Sequence, residues 1–143
     1  MPAIVRSALF ACLLAVALGA DTHDDIIELV TSMAAALTEA NPAQFMDGFD
    51  KSMPGYGTLQ SKVAALVTQA EVSSHVEPLI ESGNGDTYAV DLDWFLQVRS
   101  LSQDGPIVRR REVVHCDLRK IKKRWKIVSI KPLGLFDPMN PAP

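Results

Sequence analysis

The sequence predicts an α+β domain: three N-terminal helices packed on one face of a curved four-stranded antiparallel sheet. Three observations carry this expectation. From Asp24 to about Ala70 the apolar residues recur at helical spacing. From Glu71 onward the period falls from 3.6 to 2. Within that second half, Tyr88 to Arg99, Y-A-V-D-L-D-W-F-L-Q-V-R, is the longest run of clean alternation. Tyr88, Val90, Leu92, Trp94, Leu96 and Val98 share one face, and Ala89, Asp91, Asp93, Phe95, Gln97 and Arg99 share the other, the pattern of a strand buried on one side. Helices followed by strands, rather than the two alternating, place the helices together on one side of an antiparallel sheet.

The elements follow in order. Thr22 and Asp25 make a capping-box-like start, and Ile26, Ile27, Val30, Met33, Ala34 and Leu37 form the apolar stripe of a first helix, about Asp24 to Glu39. Asn41-Pro42 ends it and starts a second helix, Pro42 to about Phe49, with Asn41 as N-cap, Phe45, Met46 and Phe49 as its apolar side and Gly48 weakening it. The turn M-P-G-Y-G leads into a third, striped by Leu59, Val63, Leu66, Val67 and Ala70. A first strand, about Val72 to Glu81, alternates Val72, Val76 and Ile80, and Pro78 marks it as an edge strand or a bulged one. A strict Asn84-Gly85 hairpin would pair Val76 with Asp93, setting apolar against polar, so matched faces require an odd loop or a bulge. A third strand, about Val108 to Arg119, buries Val114, Cys116 and Leu118. A basic tip with Lys122 and Lys123 then turns into Trp125 to Lys131, and Leu133, Leu135 and Phe136 close one end of the core.

The chain of 143 residues is 48% hydrophobic and 22% charged, the size and composition of one domain, set at 21–138. Residues 1–20 carry Arg6, an apolar run from Ala8 to Leu18 and the small residues Ala17, Gly19 and Ala20, the pattern of a cleaved secretory signal. The expectation is export, periplasmic or secreted, with no stable membrane span once the signal is removed; an uncleaved anchor is the alternative. Residues 139–143 read as a disordered Pro-rich tail. The mature chain would then keep only Cys116, which reads as a small buried apolar residue rather than a nucleophile.

Charge is uneven. Residues 21–98 hold 2 basic and 13 acidic side chains, residues 99–131 hold 11 basic and 3 acidic. A basic face for nucleic acid or anionic lipid is one reading; cross-strand neutralisation is the preferred one, and no nucleic-acid partner is expected. No cofactor is expected either, for want of a phosphate-cradling Gly loop, a G-x-S-x-G or a Rossmann fingerprint, and no metal, because His23, His75 and His115 fall in three different elements.

The element order, the D-W-F-L-Q-V-R strand, the hairpin ending in R-W-K-I-V-S-I-K-P and the closing L-F-D-P together resemble the nuclear-transport-factor-2-like superfamily, including its SnoaL-like and ketosteroid-isomerase-like domains, over about Asp24 to Pro138. The resemblance implies a cone whose helices and curved sheet enclose an apolar pocket, used in some relatives for acid/base chemistry and in others for binding or dimerisation. Ketosteroid isomerases use a Tyr on the first helix as oxyanion donor; the first helix here has none, and Tyr56 stands at the start of the third.

Three functional readings result. The first is a non-enzymatic domain binding a small apolar ligand or a protein partner in a helix/sheet pocket lined by Phe45, Tyr56, Tyr88, Trp94 and Leu96. The second is a small isomerase, dehydratase or hydrolase using an Asp93/His115 acid/base pair, which lie opposite one another if Trp94 faces Val114. The same two residues read more simply as a surface pair, since both belong to the polar face. The third is a homodimer through that polar face, with Phe95 and Val113 at its apolar centre.

Overall fold

The computed structural model describes residues 21–102 and 105–139. The expected signal segment, 1–20, and the last four residues of the expected Pro-rich tail lie outside the described residues. Helix α1 covers 21–38, α2 is Pro42–Met46 and α3 is Tyr56–Gln69; strands β1 Ala70–Asn84, β2 Thr87–Ser100, β3 Ile107–Ile121 and β4 Arg124–Lys131 form one antiparallel sheet in the order β1-β2-β3-β4, and a 3-10 turn, η1, spans Gly134–Phe136. Among the described residues no helix is long and apolar enough to cross a membrane.

Of the expected α1 stripe, Ile26, Val30, Met33, Ala34 and Leu37 are buried, whereas Ile27 is only partly so and Ala36 joins the core instead. The helix closes with Asn41 N–H donating to the Ala36 carbonyl at 2.8 Å and Ala40 in the left-handed region at φ 56. Asn41 then caps α2, its Oδ1 accepting from Gln44 N–H at 3.1 Å. Helix α2 is only five residues long, because the chain turns at Asp47-Gly48 to reach β4. Ile127 N–H donates to Gly48 O and Asp50 N–H donates to Ile127 O, both at 2.9 Å, which covers the outer edge of β4. Gly48 leaves room for the Met33 side chain: a Cβ at 48 would lie 2.5 Å from Met33 Sδ and would force that side chain to shift.

The turn and face conflict in the β1–β2 hairpin is resolved by a bulge. The turn residues are Gly85-Asp86, Asn84 pairs with Thr87 and Glu81 with Val90, and after an irregularity at Leu79-Ile80 the register resumes with Pro78 on Leu92 and Val76 on Trp94. Strand β1 is the edge strand that Pro78 implied. The expected burial of Ile80 is corrected: the bulge carries it outward, 70% exposed, and Glu81 takes the inward position against Val90. A second bulge, between Asp117 and Leu118, bends β3 and β4.

Inward-facing residues of β2, β3 and β4 meet the helices in one continuous core, with Val90, Leu92, Trp94, Leu96, Val98, Val114, Cys116, Leu118, Ile127 and Ile130 all buried. Burial pushes the Cys116 thiol up to about 12, so it stays protonated and inert, as a structural cysteine should. Leu135 and Phe136 close the end of the core. Arg110 holds them there by donating to the Leu135 carbonyl at 3.0 Å and the Asp137 carbonyl at 2.5 Å, and Lys62 pairs with the Asp137 carboxylate.

Candidate functional site

Three regions bear on function: the outer sheet face, the interior of the cone, and the mouth of the cone beside the β1–β2 hairpin. On the outer face the expected Asp93/His115 pair does not form. Trp94 lies opposite Glu112, so Asp93 faces Val113 and His115 faces Asp91. Asp93 is instead held by a two-pronged Arg111 guanidinium, Nε at 3.0 Å and Nη2 at 2.7 Å, whose hydrogen bond keeps the carboxyl below its ordinary value. His115 stands between two carboxylates, Nδ1 at 2.7 Å from Asp91 Oδ1 and Nε2 at 3.0 Å from Asp117 Oδ1. The Asp91 hydrogen bond first, and that of Asp117 behind it, raise the imidazole above its ordinary 6.5. With a carboxylate oxygen at each ring nitrogen, both nitrogens are engaged within the sheet, and the arrangement favours the protonated ring.

That clamp predicts a pH dependence. A group whose pKa is raised by folding contributes stability that is complete below its unfolded value and is lost as pH rises through the folded value. Stability should therefore decline from pH 6.5 upward through the raised His115 value, and His115→Gln should flatten this decline. Denaturation midpoints against pH test it, and a rise in stability over that window would overturn it.

Three of the residues expected to line a helix/sheet pocket are tightly packed. Phe45, Trp94 and Leu96 are all 0% exposed. Phe136 packs edge-on against Trp94 at 5.2 Å between ring centres and lies 5.4 Å from Phe45, which in turn touches Phe49 at 5.3 Å. Trp94 Nε1 donates to Ser74 Oγ at 2.8 Å. These three residues fill the cone rather than line a void, and no polar or charged side chain among the described residues is buried.

Tyr56 and Tyr88 lie apart from one another, each on an open cleft. Tyr56 borders one with Met46, Asp50 and Lys126. Tyr88 borders a cleft of about 540 Å³ at the mouth of the cone, with Thr22, His23, Glu81 and the β1–β2 turn. Its ring lies across Gly83, where a Cβ would fall 2.4 Å from the ring, and meets Trp125 edge-on at 6.0 Å. Glu81 Oε2 is 2.6 Å from His23 Nδ1, while Oε1 is buried without a hydrogen-bond partner among the described residues. Burial first, then the charge and hydrogen bonding of Glu81, push the Tyr88 phenol up to about 12. It is therefore a neutral hydroxyl at physiological pH.

No protein-family model matches the sequence, and none of the curated proteins does. Solved structures do match the fold. A protein of unknown function from Mycobacterium tuberculosis superposes with a TM-score of 0.68 at 13% identity over 80% of this chain and 72% of that one. An NTF2-like protein with a cystatin-like fold from Novosphingobium aromaticivorans gives 0.65 at 13% identity over 82% and 84%. A protein provisionally named a dehydratase of the NTF2-like family, from Streptomyces avermitilis, gives 0.64 at 16% identity over 77% and 94%. The chain has the nuclear-transport-factor-2-like fold.

Within this nuclear-transport-factor-2-like cone, Glu81 and His23 are the mouth residues that sequence reasoning missed. Pro78 and the conflict between turn and faces signalled a bulge; which side chain the bulge would turn inward depended on where the extra residue sat. His23 and Glu81 are far apart in sequence and meet because α1 starts beside the end of β1.

Proposed function

We propose that the chain is a non-enzymatic binding domain that takes a small ligand at the mouth of the cone, against Tyr88 and Glu81, rather than in its interior. The observation that carries this reading is the makeup of the interior: every buried side chain among the described residues is hydrophobic, and aromatic rings occupy its centre. An acid or base working near neutral pH needs a desolvated titratable group poised near that pH, and the titratable side chain buried in the described core, Cys116, is pushed far above it. The outer-face alternative, an Asp/His acid-base pair for an isomerase, dehydratase or hydrolase, is disfavoured by the register and by the engagement of both His115 ring nitrogens with Asp91 and Asp117.

The mouth combines a phenol ring backed by Trp125 with a carboxylate, which suits a ligand with one apolar face and one hydrogen-bond donor. A thermal-shift screen of lipids and steroids, followed by native mass spectrometry, tests the reading. The expected result is a ligand whose affinity falls about tenfold in Tyr88→Ala and in Glu81→Gln and is unchanged in Tyr56→Ala. No ligand in either assay, or a ligand indifferent to both mouth variants, would overturn it.

A further inference from the structure

A different surface, independent of the mouth cleft, carries a second role. Of the eight residues from Arg119 to Lys126, six are basic and none is acidic. Further back, Arg111 is neutralised across the sheet by Asp93, and Arg110 is engaged by backbone carbonyls of the C-terminal turn. Neither arrangement explains the tip of the β3–β4 hairpin. There Asp47 engages Arg124 and Lys126, Asp50 faces Arg119, and Lys120 Nζ sits 6.0 Å over the Trp125 ring. Lys122 and Lys123 are exposed and have no partner among the described residues.

These two lysines also sit where lysine fits badly. Ile121 pairs with Arg124, so the turn has two residues, and both are left-handed, at φ 51 for Lys122 and φ 69 for Lys123. A hairpin of this kind selects Asn and Gly, because a Cβ in the left-handed region crowds the following carbonyl. The lysines neither pack against the core nor close an ion pair, so the strain has no return within the fold. Strain held at exposed, unpaired charges points to a partner outside the molecule.

We propose that the β3–β4 hairpin tip docks the protein on an anionic lipid surface, with Lys122 and Lys123 as the leading contacts and Arg119 and Lys120 behind them. The charge is complementary and the shape favours a plane over a strand. Asp25, Glu28 and Asp47 line the groove beside Lys123 and Arg124, where a polyanion wrapping the tip would meet them. A flat surface touching the apex meets the lysines first. The hairpin also lacks an exposed ring for stacking bases, as Trp125 is only 8% exposed.

Co-sedimentation of the full chain with vesicles of phosphatidylcholine alone, and with phosphatidylglycerol added, tests the proposal. The apolar segment at 8–18 and the basic Arg6 beside it are common to wild type and variant, so the difference between the two proteins on anionic vesicles reports the tip. Binding should require phosphatidylglycerol and fall steeply with added salt. The double variant Lys122→Asn/Lys123→Gly should lose about 30-fold in partitioning, roughly fivefold for each lysine. The same variant should melt several degrees higher, because the strain is relieved, so lost binding could not be ascribed to lost folding. Equal binding to both vesicles, unchanged partitioning of the variant, or a single-stranded oligonucleotide bound more tightly than the anionic vesicles would each overturn it.

Discussion

Trp94→Ala is expected to lower the unfolding free energy by about 3–5 kcal/mol, a large part of what a domain of this size possesses. The indole is 0% exposed at the centre of β2 and meets Phe45 at 6.2 Å and Phe136 at 5.2 Å between ring centres. Its removal opens a void that three separate elements would have to move to fill: α2 carrying Phe45, β1 carrying the hydrogen-bonded Ser74, and η1 carrying Phe136. Partial relaxation is the rule in such sites, which places the loss in the upper part of the range for large-to-small changes. Urea denaturation followed by far-ultraviolet circular dichroism measures it, and an unchanged slope with a lower midpoint would assign the loss to the native core. A loss under about 1 kcal/mol would show that the aromatic cluster is not the keystone argued for it. Because the Trp94 and Phe136 rings touch, the Phe136→Ala loss should add less than fully to that of Trp94→Ala.

Arg110→Met is expected to cost about 2 kcal/mol, through one side chain that ties the C-terminal segment to the sheet. The guanidinium supplies charge-assisted hydrogen bonds to the carbonyls of Leu135 and Asp137, on either side of Phe136. Methionine keeps most of the apolar stem and removes the donors, so the loss reports the hydrogen bonds rather than the packing. The physical consequence is a looser η1, since the remaining tie is the Lys62–Asp137 pair, in which both side chains are partly exposed. Hydrogen exchange should therefore quicken at Phe136 and Asp137, whose amides close η1, ahead of any change in β2. Uniform exchange across the sheet would mean that the segment is not held through Arg110.

The two losses differ in how far they could be anticipated. Trp94 was legible as an inward residue from the alternation of Tyr88 to Arg99 alone, and the structure buries each even position from Val90 to Val98. Its role as a space-filler, rather than a pocket wall, was not. Whether a ring lines a cavity or plugs it depends on how closely α2 and η1 approach the sheet, and that separation is set by side chains far apart in the sequence. Arg110 looked like one more charge in a basic stretch. It sits opposite Leu96 on the inward face, and its acceptors come from the returning C-terminal chain.

The Asp93/His115 pairing, which depended on Trp94 facing Val114, is absent for a geometric reason. Opposing Trp94 to Val114 and opposing it to Glu112 differ by a slip of two residues, and a slip of two leaves every side chain on its own face. Hydrophobic pattern therefore cannot distinguish the two registers, although it excludes a slip of one. The observed register gives His115 to Asp91 and Asp117 and gives Asp93 to Arg111, converting an imagined dyad into two surface clamps.

The sequence by itself determined the order of helices and strands, the face parity of β2 and β3, the edge position of β1 and the need for a bulge beside Pro78. All of these follow from local periodicity and from backbone limits that each residue carries with it. Tertiary structure alone decided the register within that parity, the inward turn of Glu81 toward His23 and Tyr88, the filling of the cone by Phe45, Trp94 and Phe136, and the isolation of Lys122 and Lys123 at the hairpin tip. Those are properties of distances between elements, and a distance between elements is fixed only when the whole core packs at once.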